Sequence, residues 1–368
     1  MSPAGRRPGG APRRAGLLLL LLLALGAAGA AAYLWTEREF AAPGPAPTAS
    51  RIQVEQGMSL RTILTRLEAG GTVRSAPAVE WYLRLHRLKP KVLAGEYEIP
   101  PRASPAEILT LFAEGRVVLE ELTVVEGATF QEFLAALGAH ARVTHTLQGK
   151  SPEQIMAALG HAGVKPEGQF FPDTYRFAAN TPDLVILGLA HDSMQKALAA
   201  AWAARRPDLP FDTPYQALIL ASLVEKEAAL KSERPLIAGV FVNRLHKGMR
   251  LQSDPTVIYG LGERYDGTIH THDLSADNPY NTYTREGLPP TPIALPGRES
   301  LIAAVQPAQT EALYFVATGL NDGAHHFSKT LEEHNSAVQT YLMRLRNPPH
   351  TPNTRPAPAP AGQGAAHP

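Results

Sequence analysis

An uncharged apolar run from Ala15 to Trp35 is the feature that most limits what this chain can fold into. A helix needs about 20 such residues to cross a bilayer. Four arginines and no acidic residue lie in residues 1–14, and Tyr33 and Trp35 lie at the far end of the run, where interfacial aromatic side chains are common. The pattern predicts a transmembrane helix over residues 15–35, with residues 1–14 in the cytoplasm and the rest of the chain outside it.

A cleaved signal peptide is the alternative interpretation of the same segment. The small residues from Ala27 to Ala32 offer a site that a signal peptidase accepts. The apolar run is longer than the roughly 7–15 residues of an ordinary signal-peptide core, which favours the anchor. Both interpretations place the remainder of the chain outside the cytoplasm.

The composition excludes several classes of protein and site. Net charge is +1, from 35 basic and 34 acidic residues, whereas a nucleic-acid-binding domain usually carries a strongly basic face. We therefore expect no nucleic-acid partner. The chain has no cysteine, which excludes disulfides, thiolate metal sites and cysteine nucleophiles.

Beyond the anchor, the pattern predicts an α+β protein with two folded parts. A Pro-rich linker covers residues 36–50, a small α/β module residues 51–118, a larger mixed α+β domain residues 119–346, and a disordered Pro/Ala/Gly-rich tail residues 347–368. Apolar periodicity, capping residues and prolines give the elements within them. The predicted helices are 60–67, 77–88, 105–112, 130–137, 152–159, 182–204, 213–229, 233–245 and 331–345, and the predicted strands are 52–54, 97–99, 117–125 and 313–317.

A candidate acid lies at the end of one predicted helix. The chain from Ala217 to Val224 is apolar almost throughout, which indicates a buried helix. Glu225 follows directly and is expected to be poorly solvated, and desolvation raises a carboxyl pKa towards the range of a general acid. Glu227 has Lys231 four residues on, an ordinary surface pair on a helix. A solvated helix end that exposes both glutamates remains open on this spacing alone.

The stretch 250–298 is rich in Gly, Pro, Asn, Asp and Thr, and we predict a long loop with short strands. A loop of that length inside a globular domain is usually functional. Amides, hydroxyls, an acid and tyrosines suit recognition of a hydroxyl-rich ligand such as a sugar, although turn chemistry explains each of them singly. The candidate substrate contacts are Gln252, Ser253, Asp254, Tyr259, Asn281, Thr282 and Tyr283.

A series of distinctive motifs follows in order along the chain. They run over Glu167–Gly168, Phe171–Tyr175, Ala221–Glu227, Val242–Leu245, Leu251–Gly260, Tyr280–Tyr283, Gly287–Pro290, Phe315–Ala317 and Glu333–Asn335.

Together these motifs resemble the endolytic murein transglycosylase (YceG-like) family, over about residues 51–345. The resemblance implies a single-pass protein of the bacterial inner membrane with its catalytic domain in the periplasm or extracytoplasmic space. It implies a LysM-like module at 51–118 and a transglycosylase domain at 119–346. It also implies Glu225, the first glutamate of the Val-Glu-Lys-Glu string, as the catalytic residue.

The activity implied by the resemblance is that of a lyase without cofactor or metal. It cleaves the MurNAc–GlcNAc bond of nascent glycan strands, leaves 1,6-anhydro-MurNAc ends and so terminates strand elongation. The implied partners are peptidoglycan glycan strands, the membrane and the peptidoglycan synthases of the elongation or division machinery.

Two other functions stay open on the sequence. The module at 51–118 is also consistent with a non-catalytic peptidoglycan-binding scaffold. Histidines in loops are consistent with a metal-dependent cell-wall hydrolase, because His is the commonest metal ligand. Those histidines lie in two places, His270-Thr271-His272-Asp273 and His325-His326.

Overall fold

The computed structural model describes residues 11–346, and the chain divides into two compact units. The first unit comprises the residues up to Glu121, with 142–144 and 176–181. The second comprises 122–141, 145–175 and the residues from Pro182 onwards. The predicted disordered tail and most of the predicted cytoplasmic segment lie outside the described residues.

The first unit begins with a long helix, α1, from Ala11 to Ala41. Its segment Gly16–Ala41 is long and apolar enough to cross a membrane, by length and composition, and no residue of its most apolar 18-residue window is buried. A signal sequence has the same properties, so both interpretations of the apolar run remain compatible with this helix. The predicted transmembrane helix is confirmed as a helix.

The predicted Pro-rich linker over residues 36–50 is helical up to Ala41 and hydrogen-bonded to the small module beyond it, and its role as a linker stays a prediction. Helix α1 continues to Ala41, and the chain beyond it is bonded to the small module. The Gly44 N–H donates to the Arg102 carbonyl at 3.0 Å, and the Arg102 N–H donates to the Ala46 carbonyl at 2.8 Å. Prolines alone suggested a stiff spacer, but their neighbours form these backbone hydrogen bonds.

The module is built on an antiparallel strand pair, in which Ser50 lies opposite Ile99. Serine side chains cap the three helices that cover it, as the sequence predicts for two of them. In its core, Tyr97 and Phe112 meet edge to face with ring centres 4.7 Å apart. Its elements in chain order are β1 Ser50–Val54, α2 Leu60–Ala69, α3 Ala76–Leu85, β2 Gly95–Ile99 and α4 Pro105–Glu114.

Short strand pairs and two capped helices follow. The strand prediction at 117–125 is confirmed over a shorter range, and capping boxes begin both helices. Strand β3 pairs with β5, and β4 pairs with β6. These elements are β3 Leu119–Thr123, α5 Phe130–Ala139, β4 Val143–Thr144, α6 Pro152–Ala158, β5 Thr174–Ala178 and β6 Thr181–Pro182.

The core of the second unit is a cluster of helices around one buried helix. Every residue from Ala217 to Val224 is buried, as the sequence predicts, and the predicted capping box of Thr213 and Gln216 is present. Each fully buried aliphatic side chain of this kind stabilises the fold by about 1.5–3 kcal/mol. These helices are α7 Asp183–Ala203, α8 Pro214–Glu227, α9 Arg234–His246 and, from later in the chain, α12 Arg298–Val305.

The prediction of loop and short strands over residues 250–298 is wrong in part. Two helices form there, α10 at Asp254–Leu261 and α11 at Thr271–Ser275, and no strand forms within this stretch. Pro255 starts α10 because its fixed φ suits a first helical turn. The turn-forming residues around it concealed that start in the sequence.

The last elements are a hairpin and a helix. The strand predicted at 313–317 exists as β7, but it is half-buried rather than buried. Its antiparallel partner β8 was not predicted, because two of its four residues are histidine and it lies close to glycine-containing turns. These elements are β7 Tyr314–Ala317, β8 His325–Ser328 and α13 Leu331–Arg346.

Candidate active site

The two glutamates at the end of α8 belong to different environments. Glu225 and Glu227 are two residues apart, and side chains two apart on a helix do not face each other. Each therefore meets a different segment of the second unit.

Glu225 is buried, as the sequence predicts, but it is also paired. Its Oε1 lies 2.6 Å from Nη2 of Arg234, and the two side chains are only 4 % and 5 % exposed. The Gly297 N–H donates to Glu225 Oε2 at 2.9 Å. Both carboxyl oxygens of Glu225 therefore already accept a hydrogen bond from the protein.

Arg234 is the centre of a larger ion cluster. Its Nη2 also lies 3.4 Å from Glu126, and its Nη1 lies 3.5 Å from Glu299. Lys231 approaches Glu126 at 3.1 Å. Burial acts to raise the pKa of Glu126, but Lys231 and Arg234 together outweigh it and hold that pKa below its usual value. The cluster ties the end of α8 to the start of α9.

Gly297 lies against the side chain of Glu126. A Cβ at this residue would lie 2.1 Å from Glu126 Oε1, well inside contact distance. The segment before it is held against α8, because the Ile293 N–H donates to the buried Ser222 hydroxyl at 3.0 Å. A side chain at position 297 would therefore displace the carboxyl group of Glu126 from its place beside Arg234.

Glu227 has different contacts, and its own pKa is raised. The Ser253 hydroxyl donates to its Oε1 at 2.6 Å. Burial raises the pKa of Glu227 to about 7, and the charge of Asp254 acts in the same direction, while Ser253 and Arg244 oppose it. This carboxyl is therefore partly protonated at neutral pH. The predicted surface pair of Glu227 with Lys231 is wrong, because α8 ends at Glu227 and Lys231 instead pairs with Glu126.

Arg244 fixes the segment that carries Ser253. It donates to the Leu313 carbonyl at 2.6 Å, to the Leu251 carbonyl at 2.9 Å and to Gln252 Oε1 at 3.3 Å. Gln252 itself has a φ of 50°, an unfavourable region for a residue with a side chain. The sequence presented Arg244 only as part of a motif, and its role in holding this strained turn depends on contacts between distant segments.

Four of the predicted substrate contacts lie together beside Glu227, namely Ser253, Asp254, Thr282 and Tyr283. The Tyr283 hydroxyl donates to Asp254 at 2.5 Å, and Asp254 is exposed. The Ser253 N–H donates to the Thr282 hydroxyl at 3.0 Å. Thr282 is buried, so of these four residues Asp254 and Tyr283 have the access that a ligand requires.

Asn281 and Tyr259 have other partners. Asn281 is 1 % exposed, and its amide donates to the Asp273 and Ala276 carbonyls at 3.0 and 2.8 Å. The Tyr259 hydroxyl donates to Glu167 Oε2 at 3.1 Å. The polar atoms of Asn281 therefore hold its own loop in place, and the sequence could not distinguish that role from sugar binding.

Glu167 is a second buried carboxyl that sequence reasoning did not single out as a site. It is 6 % exposed, and its Oε1 accepts the Phe130 N–H at 3.0 Å. Burial raises the pKa of Glu167 to about 7, although Phe130 and Tyr259 both act to lower it. Its only signal in the sequence was its place in the Glu167–Gly168 motif.

Replacing Glu167 with glutamine is expected to make stability less sensitive to pH. The folded-state pKa of Glu167 is above its unfolded value, so its stabilising effect is complete below about pH 4.5 and is lost as pH rises through about 7. Glutamine keeps an acceptor for Phe130 and does not ionise. From pH 5 to pH 8, the free energy of unfolding of the variant should rise relative to that of the wild type by on the order of 3 kcal/mol, as measured by thermal unfolding. If the difference in the free energy of unfolding between variant and wild type stays constant across that range, the raised pKa of Glu167 is contradicted.

The histidines do not assemble a metal site within residues 11–346. No group of three His, Asp or Glu side chains arranged to hold an ion is found among those residues. His270 approaches Asp266 at 3.2 Å, and His325 approaches Glu233 at 2.7 Å. Each is thus one member of a simple pair.

The chain is similar to one protein family and to several named proteins. The model of the YceG-like family matches residues 52–340. A protein of Bacillus subtilis named endolytic murein transglycosylase is 31 % identical over 80 % of this chain and 85 % of its own length. A protein of the same name from Streptococcus pneumoniae is 27 % identical over 80 % of this chain, which spans 59 % of that longer protein.

A solved structure of a yceG-like protein from Listeria monocytogenes is also similar. It is 29 % identical, with a TM-score of 0.49, and the match covers 78 % of this chain and 98 % of that one. With the family model matching most of its length and a relative above 30 % identity, the chain belongs to the YceG-like family.

Proposed function

We propose that this chain is an endolytic murein transglycosylase, a lyase that cuts peptidoglycan glycan strands between MurNAc and GlcNAc. The relatives that carry this name support the reaction. The observation that carries the proposal is the position of Glu227, which accepts the Ser253 hydroxyl beside the exposed Asp254 and the half-buried Tyr283. Burial raises the pKa of Glu227 to about 7. A carboxyl that holds its proton near neutral pH suits general acid catalysis on a glycosidic oxygen.

The sequence predicts Glu225 as the catalytic acid, and the contacts of the two glutamates favour Glu227 instead. Glu225 already accepts hydrogen bonds from a guanidinium and a backbone N–H, so both of its oxygens are occupied by protein donors. Glu227 accepts one hydroxyl from Ser253 and lies in the loop region where the candidate sugar contacts meet. We therefore assign the proton transfer to Glu227 and a positioning role to Glu225.

The proposed reaction uses one carboxyl twice. Protonated Glu227 donates its proton to the bridging oxygen as the bond from that oxygen to C1 of MurNAc breaks. The resulting carboxylate then accepts the proton of the C6 hydroxyl as its oxygen bonds to C1 and closes the 1,6-anhydro ring. The atoms balance without water, which distinguishes this reaction from the two-carboxylate hydrolysis of ordinary glycosidases.

Asp254 and Tyr283 supply the contacts that this reaction needs. The transition state carries oxocarbenium-like positive charge at C1. A fixed carboxylate near that charge stabilises it, and the hydrogen bond from Tyr283 fixes Asp254. The Tyr283 ring offers an apolar face to a sugar. Gln252, whose side chain is exposed, is a further candidate contact.

The remaining parts of the proposal concern placement and partners. Helix α1 would anchor the protein in the cytoplasmic membrane with its N-terminus inside, as the arginines before it indicate. The module built on β1 and β2 would be LysM-like and hold glycan. The substrate would be nascent strands, cut to end their elongation, and the partners would be peptidoglycan synthases.

The product of digestion tests this function. Uncrosslinked glycan strands incubated with the full chain should yield 1,6-anhydro ends, which mass spectrometry separates from hydrolysed ends by the mass of one water. Ends that carry the added water would contradict a lyase. Strands of unchanged length would instead support the non-catalytic scaffold.

The pH dependence of the same assay tests the acid. The rate should fall as pH rises through about 7, because the protonated fraction of Glu227 falls over that range. Initial rates measured between pH 5 and pH 9 on strands of fixed length check this. A rate that is still rising at pH 9 would contradict the assignment of a carboxyl as the acid.

A further inference from the structure

The end of α3 and the loop after it present a mixed apolar and basic surface. Trp81, Leu85 and Leu88 are 54 %, 51 % and 49 % exposed, an unusual fraction for large apolar side chains so close together. From residue 81 to residue 93 the chain contains no acidic residue. We name the surface formed by these side chains the juxtamembrane patch: Trp81, Arg84, Leu85, Arg87, Leu88 and Lys89, all exposed.

Contacts with α1 fix the position of this patch along the anchor. The Phe40 ring stacks on Tyr82 with centres 3.7 Å apart. His86 Nε2 lies 2.7 Å from Glu37 Oε1, and the His86 ring also lies 6.3 Å from the Tyr33 ring. Helix α3 is therefore held beside the C-terminal end of α1, with its last turn nearest the apolar segment.

With α1 as the proposed membrane anchor, the last turn of α3 lies at the depth of the lipid headgroups. The uncharged run of α1 ends at Trp35, and the hydrocarbon core of a bilayer is about 30 Å thick, the length of about 20 helical residues. Tyr33 and Trp35 then lie at the interface, where such rings are enriched. Leu85 and Leu88, on either side of His86, lie at the same level.

We propose that the juxtamembrane patch binds the surface of an anionic lipid bilayer. The leucines and Trp81 enter the boundary between headgroups and acyl chains, and the basic side chains meet lipid phosphates. Cations beside a membrane helix bind acidic lipids in this way. Phosphate headgroups match the excess of positive charge and acyl chains match the leucines, whereas a neutral sugar ring matches neither. The inference rests on the proposed membrane anchor.

Fluorescence in nanodiscs tests the proposal on the full chain. Because the sequence has no cysteine, Leu88→Cys introduces a single thiol for an environment-sensitive dye. Ala69→Cys, at the exposed far end of the antiparallel neighbour α2, is the matched control in the same unit. The dye at 88 should shift to the blue and be quenched by a nitroxide near the headgroup in discs of phosphatidylcholine with phosphatidylglycerol, and the dye at 69 should not.

Removing charge tests the lipid specificity. Adding Arg84→Gln, Arg87→Gln and Lys89→Gln to Leu88→Cys should abolish most of the quenching, and so should discs of phosphatidylcholine alone. A dye at 88 that behaves like the dye at 69 in anionic discs overturns the inference. Quenching that persists in the uncharged variant overturns the role of the cations.

The anchor and the catalytic proposal have separate readouts. A chain that elutes free of the discs shows that α1 does not hold the protein in the bilayer, which overturns both the anchor and this inference. Cleavage of glycan strands by detergent-solubilised protein does not depend on the patch. Loss of that cleavage in the wild type would concern the proposed function alone.

Discussion

Replacing Glu227 with glutamine is expected to lower the rate of glycan cleavage by about 10²–10⁴-fold, the usual contribution of a general acid. Glutamine has nearly the same shape and can still accept the Ser253 hydroxyl, so the fold should persist. Above pH 7 the variant should unfold at a higher temperature than the wild type, because it has no buried carboxyl at position 227 to ionise. Product mass spectrometry and thermal unfolding of the same preparations provide the two measurements.

Glu225→Gln provides the matched comparison. It removes one charge from the pair with Arg234 while keeping an acceptor, so it should lower thermal stability and leave measurable cleavage. The exposed Glu263→Gln should change neither the rate of cleavage nor the thermal stability. An inactive Glu225→Gln of normal stability, together with an active Glu227→Gln, would return the acid role to Glu225.

Replacing Arg234 with methionine is expected to destabilise the protein by about 3–5 kcal/mol. The change leaves the buried carboxylate of Glu225 without its cation, and it removes a counter-charge from Glu126 and Glu299. A buried charge that loses its partner costs far more than an exposed one. Chemical denaturation at pH 7 measures the loss.

A second substitution separates lost pairing from lost packing. Adding Glu225→Gln to Arg234→Met should recover part of the stability, because both members of the closest pair are then uncharged. The exposed Arg264→Met is the control and should cost no more than about 0.5 kcal/mol. A double variant less stable than the sum of the single variants would contradict a charge imbalance as the cause.

Helices and strands whose signals lie within their own stretch of sequence could be predicted. The buried helix ending at Glu227 has an apolar run, a capping box and a proline in its first turn, and all three signals are local. Strand β8 and helix α10 were missed, because turn-forming residues surround them and tertiary contacts decide their conformation.

The partners of the charged side chains could not be predicted, because they come from distant positions. Gly297 reaches Glu225 from 72 residues along the chain, and Ser253 reaches Glu227 from 26. Helical spacing suggested Lys231 for Glu227, but the helix ends before that spacing applies. Burial of Glu225 was correctly predicted from its apolar neighbours, whereas its ion pair depends on how α9 packs.

Glu225 and Glu227 lie at the same end of α8 but contact different segments, and this separation affects which substitutions the protein can accept. The side of α8 that faces Arg234 carries the buried ion pair, and the side that faces Ser253 meets the polar loops. Loss of a buried ionic partner costs far more stability than most substitutions at exposed positions. Substitutions at exposed loop positions are therefore expected to alter substrate contacts at a smaller cost in stability than substitutions around Arg234.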